Sequence, residues 1–443
     1  MDKILIELQN KILDSILNKV TLSMHLDERR VLIMDALVDA CNDIQAKFNI
    51  DKIGILENFD EREKFINTLL SIDPIEELLD DNDVEDIVIN SLSPIYVHRS
   101  SKGLTSTNKR IKDQKELDLF IKKILVFSGE GKFRKINDLE LPNMRGRVNV
   151  VISPLGPQIT IAKIKREPLS IIDLINLGTL DFEMAAQLWI YVEGFWVCPA
   201  NIIVSGGPGS GKTTLLNAIL GFLPRNERLV IIEDTLELNT KFADICSRLE
   251  SSHDLSMEAL VKNSLRMRPD RVVIGEVRGI EAQGLMTAMN IGKHCMGTIH
   301  ANSARETILR LQSEPMNIPE SLIGLINVII TMRRYYNKGK AFRVAHEISE
   351  TAGLQERRVL LSCLWEYDIA GKRFLKTAPS SIFRDRIAQM ADVSPKRIME
   401  ELTIRAKILK AIKNSKISEL EEVSNICEQY RQNPKKVIAN FGI

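Results

Sequence analysis

The chain has 443 residues, 44% hydrophobic and 27% charged, an ordinary globular composition with room for roughly two to four domains. A formal net charge of +1 lacks the basic excess that advertises a nucleic-acid partner, so none is expected. The six cysteines form no C-x-x-C pair, no apolar run approaches the roughly 18–20 residues that span a bilayer, and the N-terminus alternates charged with apolar residues. A disulfide scaffold, a zinc site, a membrane span and a signal peptide are thereby disfavoured, and a cytoplasmic protein is expected.

Residues 1–70 repeat apolar side chains at three- and four-residue spacing, as in Ile4, Leu8, Ile12 and Ile16, which predicts amphipathic helices. They form either a docking surface for a partner or a small bundle covering the next domain. Residues 71–166 predict a mixed α/β domain. It has a short helix in IDPIEELLDD, paired strands in DIVINSLSPIYVHRSSKGLTST, a helix in QKELDLFIKKILVFSGE and two further strands in RVNVVISPLGPQITIAKIKR. Residues 167–182 read as a linker with a short helix.

Residues 183–375 alternate strand-like apolar runs with helices, the signature of a doubly wound parallel sheet. The strands are expected at 201–205 (NIIVS), 228–234 (RLVIIED), 271–277 (RVVIGEV), 295–301 (CMGTIHA) and 327–336 (NVIITMRRYY). Asn337-Lys338-Gly339-Lys340 then reads as a hairpin turn into AFRVAHEISE, with RRVLLSCLWEYD as an antiparallel partner. Residues 376–443 form a helical extension, expected as a separate tail of two or three helices. One of them opens at Ser394 as N-cap with Pro395 in its first turn.

The most specific stretch is NIIVSGGPGSGKTTLLNAIL, residues 201–220, which places G-x-x-x-x-G-K-T after a strand and before a helix. Gly206, Gly207, Pro208, Gly209, Ser210 and Gly211 form a turn whose backbone N–H groups can face inward around phosphates. The helix that follows, opening at Lys212, Thr213 and Thr214, favours negative charge at its N-terminus. Lys212 is expected to reach the β- and γ-phosphates of a nucleoside triphosphate and Thr213 to complete a Mg²⁺ shell. ATP and Mg²⁺ are the expected cofactors.

Further groups gather at the predicted carboxyl edge of that sheet, where ligands sit in such folds. Glu233 and Asp234 end the strand of IIEDTLEL, and Glu276 closes that of RVVIGEV, with Gly275 where an Asp often precedes the Glu. A carboxylate there holds Mg²⁺ through water, or orients and deprotonates the attacking water. His300, in GTIHANS, is either a satisfied structural histidine or a sensor of the γ-phosphate. Arg266, Arg268 and Arg278 flank the Glu276 strand and can neutralise phosphate charge in the same subunit or in a neighbour. Arg145, Arg147, Lys163, Lys165 and Arg166 cluster near strand ends of the preceding domain. They are either solvated charge or groups reaching a γ-phosphate from outside, as arginine fingers do.

GGPGSGKTTLLNAI, IIEDTLEL, LRMRPDRVVIGEVRG and GTIHANS, in this order and spacing, resemble the Walker A, Asp box, Walker B and His box of the type II/type IV secretion-system ATPases. The likeness spans residues 71–370 and is closest to the tight-adherence and archaeal pilus branch. It implies a RecA-like P-loop core behind a mixed α/β domain, assembled as a homohexameric motor. Such a motor works at the cytoplasmic face of a membrane with a polytopic platform protein, powering pilus assembly or secretion. It further implies that Glu276 is the principal catalytic carboxylate, that Glu233 assists, and that His300 reads the nucleotide state. Arginines of LPNMRGRVNVV, namely Arg145 and Arg147, then complete a shared site. Ala162 stands where the family carries an arginine, which shifts weight onto Lys163. The alternatives are a nucleic-acid translocase on a RecA-like core and a small-molecule kinase.

Overall fold

The computed structural model describes residues 2–21, 24–48, 58–129, 134–141, 146–163, 168–252, 254–337, 340–356 and 358–443. Arg145, Lys165, Arg166 and the Lys338-Gly339 turn therefore lie outside the described residues. The chain forms two compact units, Met1–Arg166 with Lys338–Ala341, and Glu167–Asn337 with Phe342–Ile443.

In the first unit, α1 (Asp2–Ile16), α2 (Leu26–Phe48), α3 (Phe59–Leu70) and the short α4 (Glu76–Asp80) precede β1 (Val84–Asn90), β2 (Tyr96–Arg99) and β3 (Gly103–Ser106). Then α5 (Gln114–Ser128) leads to β4 (Ile136–Leu141), β5 (Gly146–Ser153) and β6 (Gly156–Lys163). The strands make one antiparallel sheet in the order β3-β2-β1-β6-β5-β4. Its register sets Ile87 and Val148 beside Ile161, and Ile89 and Val150 beside Ile159. Strand alternation therefore puts all six on one buried face. Leu8, Ile12 and Ile16 of α1 are buried in the same core, so the N-terminal helical segment covers this sheet. The stretch read as paired strands folds into three, because the SLSP and SSKG turns both reverse the chain. β4 escapes the periodicity because its Ile136 is 61% exposed while Leu139 and Leu141 are buried, half an apolar face on an edge strand.

The second unit opens with α6 (Ile171–Asn176) and α7 (Phe182–Glu193), followed by β7 (Ile202–Gly206), α8 (Lys212–Leu220), β8 (Leu229–Glu233) and β9 (Cys246–Glu250). Next come α9 (Met257–Ser264), β10 (Arg271–Val277), α10 (Glu281–Asn290), β11 (His294–Ile299), α11 (Ala304–Gln312) and α12 (Glu320–Ile323). The sheet is completed by β12 (Val328–Asn337), β13 (Lys340–Gln355), β14 (Arg358–Asp368) and β15 (Arg373–Lys376). Its order is β15-β14-β13-β12-β7-β11-β10-β8-β9. The run from β12 to β9 is parallel, a RecA-like arrangement, and β13 to β15 extend it with antiparallel pairs. Every residue of β7 and β8 is buried, as expected of central strands covered by helices on both faces. The extra parallel strand β9, CSRLE, is polar and half-exposed. It lies at the sheet edge, where no apolar run is required.

The chain ends in α13 (Ile382–Met390), α14 (Pro395–Asn414), α15 (Leu420–Gln432) and α16 (Pro434–Phe441). These four helices are not a separate tail. Ile398, Leu402, Leu409 and Ile412 of α14 share one core with Trp189 of α7 and Leu215 and Leu216 of α8. Arg405, fully buried, pairs with Glu193 of α7 at 2.5 Å and with Glu401 at 3.0 Å. Its guanidinium lies 4.8 Å from the Trp189 ring centre, and Tyr430 of α15 donates to Glu401 at 2.8 Å.

Candidate nucleotide-binding and catalytic site

β7 delivers the chain to the carboxyl edge of the parallel run, where it turns through Gly206 at φ +155°. A Cβ on Gly206 would stand 2.4 Å from Ser210 Oγ and 2.5 Å from the Met332 carbonyl, so only glycine fits. Gly209 and Gly211 adopt φ of +64° and +92°, and Gly211 is the N-cap of α8 with no side chain on the free amides. That leaves the helix N-terminus open to an anion. Ser210 Oγ donates to the Gly207 carbonyl at 2.8 Å, bracing the loop. Thr213 and Thr214 stand in the first turn of α8.

Lys212 folds over the loop, donating to the Gly207 carbonyl at 3.1 Å, and its Nζ lies 3.5 Å from His300 Nδ1. His300 Nε2 in turn is 2.8 Å from Glu276 Oε1. Arg278 donates to Glu276 Oε2 at 2.7 Å and approaches Asp234 at 3.3 Å. Four residues that the sequence spreads over nearly ninety positions thus form one chain of contacts beside the loop. Burial pushes the Glu276 carboxyl up, but Arg278, His300 and Lys212 outweigh it and hold it below its ordinary value. Burial and then the Lys212 charge lower His300. Lys212 is itself lowered by burial against the pull of Glu276. Glu276 is therefore a carboxylate and His300 a neutral imidazole at neutral pH. A cleft of about 530 Å³ runs from Gly207 and Pro208 past Arg278, His300 and Asn302 to Arg310.

Glu233 stands apart from this chain. Its Oε1 accepts the N–H groups of Glu237 and Leu238 at 2.9 Å each, and its Oε2 lies 3.2 Å from Arg248. It is almost wholly buried, which pushes its carboxyl up against those partners. The same side chain explains Gly275: a Cβ there would sit 2.9 Å from Glu233 Cγ. Gly275→Ala is expected to destabilise the protein by about 1–3 kcal/mol through overpacking, read as a lowered denaturant midpoint. An unchanged midpoint would mean that Glu233 is not held in place.

The remaining expected residues fall elsewhere. Arg266 and Arg268 are exposed and precede β10. They lie a strand length, roughly 20 Å, from Glu276 at the opposite edge, so they do not join this cluster. In the first unit, Arg147 sits on β5 opposite Ala162, and Lys163 donates to the carbonyls of Leu78 and Asp81 at 3.2 and 2.6 Å. The sequence reading missed Arg334 and Arg343, which β12 and β13 bring against the phosphate loop. Arg343 Nε donates to the Gly209 carbonyl at 2.8 Å. The basic run MRRYYNKGKAFR is a signal that could have found them.

A family model described as type II/IV secretion system protein matches residues 134–364. The Methanocaldococcus jannaschii protein MJ0900 is 30% identical over 406 residues, covering 86% of this chain and 71% of that protein. The probable conjugal transfer protein TrbB of Sinorhizobium fredii is 30% identical over 270 residues, covering 58% of this chain and 81% of that protein. Among solved structures, the Legionella pneumophila ATPase DotB matches with a TM-score of 0.48 at 19% identity, covering 82% of this chain and 94% of that one.

Proposed function

The chain belongs to the type II/IV secretion system protein family, and from that premise we propose that it is a Mg²⁺-dependent ATP hydrolase working as a homohexameric motor. It acts at the cytoplasmic face of a membrane, where a polytopic platform protein takes up its motion for pilus assembly or protein secretion. One observation carries the reading: Lys212, His300, Glu276 and Arg278 meet beside an open helix N-terminus at the carboxyl edge of a parallel sheet.

The loop amides and Lys212 bind the phosphates. The Thr213 hydroxyl and, through water, the Glu276 carboxylate fit a Mg²⁺ ion, which neutralises charge between β- and γ-phosphate when bound. Glu276, kept ionised by its neighbours, orients the attacking water and accepts its proton. His300 stands between Lys212 and Glu276, so a γ-phosphate that draws the ammonium off the Gly207 carbonyl is felt at the imidazole. Arg278 offsets negative charge on the same edge. Glu233 assists as a positioning residue, holding the 234–238 loop. Arg145 and Arg147, together with the exposed Arg266 and Arg268, complete a neighbouring subunit's site.

The test is ATP turnover of the purified chain. Phosphate release to water that requires Mg²⁺ is expected, with ATP binding lost at least roughly tenfold in Lys212→Ala. Transfer of labelled phosphate to a metabolite would establish a kinase instead. Stimulation several-fold by single-stranded or duplex DNA would establish a nucleic-acid translocase.

A further inference from the structure

The hydrolysis just described uses only one flank of the phosphate loop. β7 lies between β11 and β12. Glu276, His300 and Arg278 come from the β10 and β11 side. The other flank is built by β12 and β13. Strand alternation puts Arg333 and Tyr335 on the other face of β12 from Met332: Arg333 Nη2 donates to the Asn302 carbonyl at 2.9 Å, on the His300 side of the loop, and Tyr335 Oη lies 3.1 Å from His346 Nδ1. The opposite face of β12 carries Met332, Arg334 and Tyr336. Met332 Cε lies 3.6 Å from where a Cβ on Gly211 would stand, and Arg334 Nη1 lies 2.9 Å from the same point on Gly209. Arg343 joins them from β13 through the Gly209 carbonyl. The Arg334 guanidinium lies 5.4 Å from the Tyr336 ring centre, and Tyr336 is 58% exposed. Among the described residues Arg334 forms no ion pair.

A triphosphate whose γ-end meets Glu276 and His300 must carry its nucleoside half over the far flank. We propose that Arg334 and Tyr336 form the subsite for that half of a purine nucleotide. The Tyr336 ring and the planar guanidinium stacked near it offer flat faces to the base. The Arg334 charge faces the phosphates nearest the ribose. Arg343 is a positioning residue that fixes Gly209, so it serves the phosphate loop and not the base. This subsite rests on the nucleotide-binding reading of the loop.

The experiment is calorimetric titration of the full chain with Mg·ATP and, separately, with Mg·tripolyphosphate, which has no nucleoside. The wild-type chain binds both. Tyr336→Ala is expected to weaken ATP by roughly tenfold, the range of one lost base stack, and to leave tripolyphosphate within about twofold. Tyr336→Phe restores ATP binding, and Arg334→Ala weakens ATP at least as much as Tyr336→Ala. Equal loss of both ligands in Tyr336→Ala would show damage to the loop and overturn the subsite. ATP binding unchanged in both alanine variants would overturn it as well. A wild-type chain that binds neither ligand would instead refute the nucleotide-binding reading, and the subsite with it.

Discussion

Glu276→Gln is expected to lower ATP turnover by at least about 10²-fold, the usual range for removing a general base, with ATP affinity within a few-fold of wild type. The amide is nearly isosteric and keeps a carbonyl oxygen for Arg278. It can neither take the water's proton nor carry the charge that His300 and Lys212 face. Bound ATP should therefore persist, and solution mass with Mg²⁺ and ATP should shift to six subunits. Turnover within threefold of wild type would remove Glu276 from the chemistry, and an ATP-loaded monomer would remove the shared site. The wild-type enzyme adds a pH signature. Glu276 is held below its ordinary 4.5 and His300 below its ordinary 6.5. The working pair of carboxylate and neutral imidazole thus persists through neutral pH and is lost only on acidification. For stability the sign is the same: both groups bind protons more weakly folded than unfolded, so their contribution fades as pH falls. A rate falling with pH already above 6.5 would contradict the assignment of His300.

Arg405→Ala is expected to cost about 3–5 kcal/mol, the price of leaving buried charge uncompensated. Two carboxylates converge on this guanidinium, Glu193 at 2.5 Å and Glu401 at 3.0 Å, and all three residues are at most 4% exposed. The variant also forfeits the stacking of the guanidinium on Trp189. Against a typical total of roughly 5–15 kcal/mol, the effect should be plain in a urea transition of the second unit. A triple variant replacing Arg405, Glu193 and Glu401 with leucine should recover most of the loss, because well-packed apolar groups often substitute for a buried ionic set. A shift below about 1 kcal/mol in Arg405→Ala would show that water reaches the site.

What could be read in advance follows from how locally each feature is specified. The phosphate loop was legible because strand, glycine turn and helix lie within twenty consecutive residues. The positions of β7, β8, β10, β11 and β12 along the chain were legible because each is an apolar run, whereas their order in the sheet was not. β4 and β9 were not, since edge strands carry only half of that signal. The C-terminal helices showed their 3.6-residue periodicity but not its partner, because α7 lies some two hundred residues earlier. Arg334 and Arg343 read as ordinary strand residues until β12 was laid beside β7. Glu233 and Glu276 look alike in sequence, each an acid at the end of an apolar strand. They diverge because the chain after β8 curls back to offer two amides to Glu233, whereas the chain after β10 offers Glu276 the Arg278 guanidinium.

The contact between Glu233 and the bare α-carbon of Gly275 also constrains how this site can change over generations. An aspartate at 275, the commoner neighbour of such a glutamate, carries at least the overpacking cost of Gly275→Ala while Glu233 fills that space, because its Cβ meets an anchored side chain. A shorter side chain at 233 would relieve that contact, at the loss of the two amide hydrogen bonds that hold the loop after β8. How well the strand tolerates a second acid at 275 therefore depends on the length of the side chain at 233, two positions far apart in the chain that share one small volume.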